Sequence, residues 1–224
     1  MALCGCMHRL GITIAMTLAV CIVDTRDHDL AAQITQRTLD VLQQCHPAQK
    51  VYWISDKPAP INFSVPCDVT QISPIQHFPL DYNRVCLHMI PALIQDDHCL
   101  IIQTDGYAVN HHAWTPQFLT YDYVGACWPM HWNLPHQVGN GGFSLRSRKL
   151  LQALKHMRVQ ATHHHEDFLI SLDLRDQLCN QYGCVWAPEL LADQFSIENH
   201  MQSVWLGKSF GFHGKHLKPI YERI

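Results

Sequence analysis

A carboxylate at the end of an apolar run is the sharpest chemical signal in the sequence. Leu100-Ile101-Ile102 gives way to Gln103-Thr104-Asp105-Gly106, and an ionised group beside a core is costly unless something pairs with it. A divalent cation carrying a diphosphate is one such partner; a turn opened by Asp105 and Gly106 is the plainer reading. The second signal is Gly139-Asn140-Gly141-Gly142-Phe143-Ser144-Leu145-Arg146. Three glycines in four positions let a backbone pass close to a ligand or take positive φ. If the run turned into the helical pattern of residues 149–157, its N–H groups would cradle a phosphate. Neither the G-x-x-x-x-G-K-[ST] nor the G-x-G-x-x-G spacing is present, and a flexible hairpin is the alternative.

Two further groups carry candidate side chains. Glu166-Asp167 follows His163-His164-His165 and opens Phe168-Leu169-Ile170, where adjacent carboxylates serve either a helix macrodipole or proton transfer. Three successive histidines cannot point one way, so that tract makes no three-histidine zinc site. Near the end of the chain, Phe210-Gly211-Phe212-His213-Gly214-Lys215 offers an imidazole for a metal and an ammonium for a phosphate. A polar tail has the same composition.

The elements that must position these groups follow from periodicity. Residues 17–23 form an apolar run ending in Asp24-Thr25-Arg26, the pattern of a central strand covered on both faces. A helix is expected over residues 30–45, strands over 51–55 and 67–72, and a helix over 82–95 that Pro91 bends or interrupts. A strand over 99–103 then leads to Asp105. This order predicts an α/β fold with a mainly parallel central sheet flanked by helices, with ligands at the C-terminal ends of its strands. Beyond Asn110, aromatic residues interleave with Pro and His, a composition suited to an acceptor side. Trp128, Trp132 and Trp205 could stack on a sugar ring or belong to the core.

Composition narrows the classes. The 224 residues carry 16 Lys and Arg against 19 Asp and Glu, a net charge of −3, and no basic run follows a phosphate backbone, which argues against nucleic acid as a partner. Without a Pro/Gly/Ser-rich linker, residues 1–224 read as a single domain. Ten cysteines stand scattered through apolar stretches without a C-x-x-C pair, as buried thiols of a cytoplasmic protein do. Residues 10–23 resemble the apolar region of a signal peptide, but they are too short to span a bilayer and run into charge, so a strand is the expectation and no transmembrane segment is.

In this order the segments resemble glycosyltransferases of the GT-A superfamily. Within it they resemble a little-characterised family marked by a Q-x-D strand end, Y-D-Y-[IV]-G-A, G-N-G-G-F-S-L-R and a downstream E-D. Here these are Gln103-Thr104-Asp105, residues 121–126, residues 139–146 and Glu166-Asp167. A more distant likeness to glycogenin-like transferases covers Tyr82-Asn83-Arg84 and the terminal His-Gly-Lys. The resemblance implies transfer of a sugar from a nucleoside-diphosphate donor to a glycan or other hydroxyl acceptor. It implies Mn²⁺ or Mg²⁺ on Asp105, completed by His213, and a donor site drawing on Asp24, Thr25, Arg26, Arg84, Gln103, Thr104, Gly141, Gly142 and Lys215. Glu166 or Asp167 matches the place of a catalytic base. Q-T-D in place of D-x-D exchanges one carboxylate for an amide that holds a hard cation less strongly. Two other readings stand beside this one: a nucleotide-sugar-binding module without catalysis, and a metal-dependent hydrolase built on the His-rich loops.

Overall fold

The computed structural model describes residues 16–222. Its main sheet has six strands in the order β3-β2-β1-β4-β7-β6, where β1 is Leu18–Val23, β2 Lys50–Ser55, β3 Cys67–Gln71, β4 His98–Ile102, β6 Tyr123–Gly125 and β7 Ser144–Ser147. The first four are parallel; β7 runs antiparallel between β4 and β6. A smaller sheet joins β5 (Gly106–Ala108), β9 (Gly211–His213) and β8 (Ser196–Ile197) in that order.

Every residue of β1 is buried because the strand has a core on each side. Leu18, Val20 and Ile22 face one cluster, with Trp53, Leu100 and Ile102; Ala19, Cys21 and Val23 face the other, with Ile54, Cys99 and Ile101. Alternation by two distributes one apolar run over both cores. The helix His28–Gln43 follows, capped by Asp27, whose side chain accepts from the Leu30 N–H. Residues 10–15 of the apolar N-terminal stretch lie outside the described residues.

The helix expected around Pro91 is continuous but of mixed type: Leu80–Arg84, a π-turn Val85–Met89, then Ile90–Leu93 with Pro91 in its first turn. The Ile90 N–H reaches back to the Val85 carbonyl, so a widened turn accommodates the residue that has no N–H to offer. Among the described residues no helix is long and apolar enough to cross a membrane, and the eight cysteines there are all free thiols.

Chain order reverses at β1, since β2 and β3 extend one way and β4 joins the other edge. The register pairs Ile22 with Ile102, so both strands end level and open the crevice that such a reversal leaves at the carboxyl edge.

Candidate active site

Strand pairing accounts for nearly every side chain at that edge. The Gln103 and Gly106 backbones exchange hydrogen bonds of 2.8 and 3.0 Å, which makes Thr104 and Asp105 the tip of a tight hairpin between β4 and β5. Asp105 is thus both a turn residue and a carboxylate facing the crevice. Gly106 pairs with His213 across β5 and β9, setting the His213 Nε2 at 3.8 Å from Asp105 Oδ1 and 3.2 Å from Gln103 Oε1. The Gln103 amide donates to the Tyr82 hydroxyl at 2.7 Å, which turns its oxygen toward the imidazole.

Antiparallel pairing of β7 with β4 sets Ser144 opposite Ile101, and the glycines just before Ser144 therefore arrive beside Gln103. Their setting is not that of a turn into a helix. The run enters strand β7, not a helix; the Gly141 N–H donates to Asp167 Oδ2 at 3.0 Å and the Gly142 N–H to the Asn140 side chain. A Cβ at Gly142 would collide with three atoms of the His213 ring, and one at Gly106 would meet its Cδ2 at 2.7 Å. The two glycines form a slot for the imidazole. A Cβ at Gly141 would strike Glu166 Oε1 at 2.5 Å.

The adjacent carboxylates have separate surroundings. Glu166 is buried and its Oε1 lies 2.9 Å from Nη2 of Arg146, a guanidinium with no exposed surface. Burial works against the Arg146 charge, but Glu166 and Tyr123 outweigh it and hold its pKa well above the ordinary value. Asp167 lines the open space, and burial, helped by the Glu166 charge, pushes its carboxyl up to about 6. For His213, burial acts to lower the pKa, yet Glu198 at 3.0 Å from Nδ1, together with Asp105 and Asp167, raises it.

Two hollows meet at this wall. The larger, about 650 Å³, is lined by Asp24, Thr25, Arg26, Thr104, Asp105, Lys215 and Lys218, and the smaller, about 260 Å³, by Trp128, Trp132, Gly142, Glu166, Asp167 and Glu198. Phe78, Tyr82, Gln103 and His213 line both. In the larger, Asp24 is occupied by the Arg26 and Asp27 N–H groups at 2.9 and 2.8 Å, and Thr25 Oγ1 by the Ile75 N–H.

Several sequence expectations resolve differently. Arg84 lies outside both hollows, beside Ile72 and Met89, and pairs with Asp81 at 3.0 Å because its helix turns that face outward. Gly141 and Gly142 do not line the larger hollow; Gly142 lines the smaller one and Gly141 packs against Glu166 and Asp167. Trp128 stacks on Phe168 with ring centroids 4.7 Å apart, whereas Trp205 packs against the core, away from both hollows. The rings of His111 and His112 meet at a tilt and the His165 ring packs edge-on against Phe78. Among the described residues neither tract enters the one cluster of three convergent ligand groups, which is Cys127, Asp193 and His200. Sequence reasoning missed Glu198, which orients His213 and accepts from Asn140 and Asn199 at 2.7 and 2.8 Å. No local pattern marks it.

A parallel sheet reversing at β1, with an acidic hairpin at its carboxyl edge, defines a GT-A-like α/β fold. The structure is similar to the crystal structure of a glycosyltransferase involved in the glycosylation of the major capsid of PBCV-1, with a TM-score of 0.51 and 8% identity over 92% of this chain and 98% of that one. At that identity the likeness is one of fold. The chain belongs to the family described as Protein of unknown function (DUF5672), whose sequence model matches residues 81–213. That span includes Tyr82, Gln103, Asp105 and His213. No curated protein matches the sequence.

Proposed function

We propose that the chain transfers a sugar from a nucleoside-diphosphate donor to a hydroxyl acceptor. The observation that carries this reading is the wall of Gln103, Asp105 and His213 between two joined hollows, one bearing Arg26, Lys215 and Lys218, the other bearing Asp167. The three cations suit the diphosphate, and the larger hollow has room for a nucleotide; the smaller, flanked by Trp132 and Trp128, suits an acceptor sugar.

The donor set at the wall fits a divalent cation. A carboxylate oxygen, an imidazole nitrogen and an amide oxygen converge there, with the Nε2–Oδ1 separation of 3.8 Å leaving space between them. Asp105, His213 and Gln103 would hold Mn²⁺ or Mg²⁺, which supplies Lewis-acid stabilisation of the leaving diphosphate. Glu198 fixes the imidazole through Nδ1 and leaves Nε2 facing the crevice. Asp167 is the base. With its pKa near 6 it is ionised at neutral pH and takes the proton of the acceptor hydroxyl, whose oxygen forms the new bond to the anomeric carbon as the diphosphate leaves with its electron pair. Glu166 stays on Arg146 and shapes the floor.

The test has two parts. A thermal-shift screen with UDP-, GDP-, CMP- and dTDP-sugars, with and without Mn²⁺, should single out one nucleotide class by a metal-dependent rise in Tm. With that donor, Asp105→Ala should lower turnover by at least about 100-fold, a loss of the size produced by removing one charge-stabilising group, with Tm unchanged. Full activity in Asp105→Ala would reject the assignment. Gln103 in place of a carboxylate keeps a second reading in view, a binding module without catalysis; donor binding without turnover would favour it.

A further inference from the structure

The cluster of Cys127, Asp193 and His200 stands apart from the wall just described. Its ligand atoms, one thiol sulfur, one carboxylate oxygen and one imidazole nitrogen, all lie within 4.8 Å of one another. They come from three separate pieces of chain. Cys127 sits just past β6, bridged to Val138; Asp193 belongs to the helix Glu189–Phe195; His200 lies in the turn beyond β8. Cys127 and Asp193 are each 3% exposed, whereas the His200 side chain is 31% exposed, so the cluster has one face toward solvent.

The hydrogen bonding within the cluster is incomplete. His200 Nδ1 lies 2.7 Å from Asp193 Oδ2, yet Nδ1 makes no hydrogen bond, and the buried Asp193 Oδ1 has none either. The Cys127 sulfur meets the Glu189 carbonyl at 3.9 Å and the Asp193 carboxylate. A buried carboxylate oxygen without a donor is a costly arrangement unless a cation completes it. Asp193 thus holds His200 on one side and neighbours the Cys127 thiol on the other, and its second oxygen is left without a donor.

We propose that Cys127, Asp193 and His200 form a Zn²⁺ site whose fourth position opens to solvent on the His200 side. Thiolate, imidazole and carboxylate at about 2.0 to 2.3 Å from a common zinc lie about 3.3 to 3.5 Å apart in tetrahedral geometry, which the cluster reaches with small side-chain movements. Sulfur ligation favours zinc over Mg²⁺ and Mn²⁺, which take oxygen, so the site is chemically distinct from Asp105 and His213. On binding, the S–H bond of Cys127 breaks as the S–Zn bond forms, and the proton goes to solvent.

The position gives the ion a structural task. Trp128 follows Cys127 and Glu198 stands two residues before His200, and both line the smaller hollow. A zinc at the cluster fastens the turn bearing His200 to the helix bearing Asp193 and to the exit of β6. It thereby fixes the wall from which Glu198 orients His213. A nucleophilic role for Cys127 is excluded by its burial, since a reacting carbonyl would have no approach to the sulfur.

The experiment uses the full chain without an affinity tag, stripped with a chelator and titrated with Co²⁺ as a spectroscopic substitute for zinc. One equivalent should release one proton per chain and produce a thiolate-to-cobalt charge-transfer band in the near ultraviolet; Zn²⁺ should abolish the band by exchange without further proton release, and Zn²⁺ added to the stripped protein should raise Tm. Mg²⁺ in large excess should leave the band unchanged. Cys127→Ser should abolish the band, and His200→Ala, with its fold checked by far-ultraviolet circular dichroism, should weaken cobalt binding at least 10-fold. Cobalt uptake without a thiolate band would place the ion at the Asp105–His213 wall or on the His-rich tracts and overturn the proposal. So would a band that persists in Cys127→Ser, or affinity unchanged in His200→Ala. None of these readouts depends on donor binding or turnover.

Discussion

Replacing Asp167 by Asn should make the protein more resistant to unfolding at neutral pH while removing its activity. Asp167 is pushed from its ordinary 3.8 to about 6 by burial and by the neighbouring Glu166 charge. Each pKa unit corresponds to about 1.4 kcal/mol, so holding this carboxylate ionised in the folded state costs about 3 kcal/mol relative to the unfolded chain. The sign follows from linkage: a carboxyl whose folded pKa is raised supports the fold fully below about 3.8, and that support is lost as pH climbs through about 6. Asn cannot ionise and carries no such dependence. The substitution also disturbs the hydrogen bonds from the Gly141 and Phe168 N–H groups, worth about 1 to 3 kcal/mol together, but that offset does not change with pH. Urea unfolding of both proteins at pH 4, 5, 6 and 7.5, in chelator, should show the wild type losing about 2.4 kcal/mol relative to Asp167→Asn across the series, because about 0.5 kcal/mol is already lost at pH 4. A difference that stays flat from pH 4 to 7.5 would refute the account of Asp167 as a strained, proton-accepting carboxylate.

The neighbouring carboxylate should behave in the opposite way. Glu166→Ala leaves the Arg146 guanidinium buried without its partner and should destabilise by about 3 to 5 kcal/mol at neutral pH, read from the urea midpoint. Gly142→Ala places a methyl group on the His213 ring; it should lower turnover by at least about 10-fold through displacement of the imidazole, with far-ultraviolet circular dichroism unchanged. Because Glu198 raises the His213 pKa and only the neutral imidazole ligates, Mn²⁺ affinity measured by calorimetry should rise from pH 6 to 8, and Glu198→Gln should shift that rise to lower pH.

Much of this protein can be read along the chain. The apolar run before Asp24, the run before Asp105 and the helix His28–Gln43 are local patterns, because burial on both sheet faces requires consecutive apolar residues and burial on one helix face requires a period of 3.6. The parallel sheet and its ligand edge follow from their order, and Asp105, Asp167 and His213 stand out as polar groups set against apolar or glycine-rich surroundings. Tertiary structure decided what pairing and packing decide. Whether the glycines touch phosphate or a side chain depends on which strand lies beside Gln103, and the register of β7 on β4 brings them to His213 and Asp167. Glu166 and Asp167 are consecutive residues of the same charge, and only the placement of Arg146 beneath one of them separates an ion-paired carboxylate from one whose pKa is raised by burial. Glu198, and the convergence of Cys127, Asp193 and His200, join segments distant in sequence. A residue's type states what it can donate or accept, but the partner that gives it a role is selected by contacts that the chain makes only after it has folded.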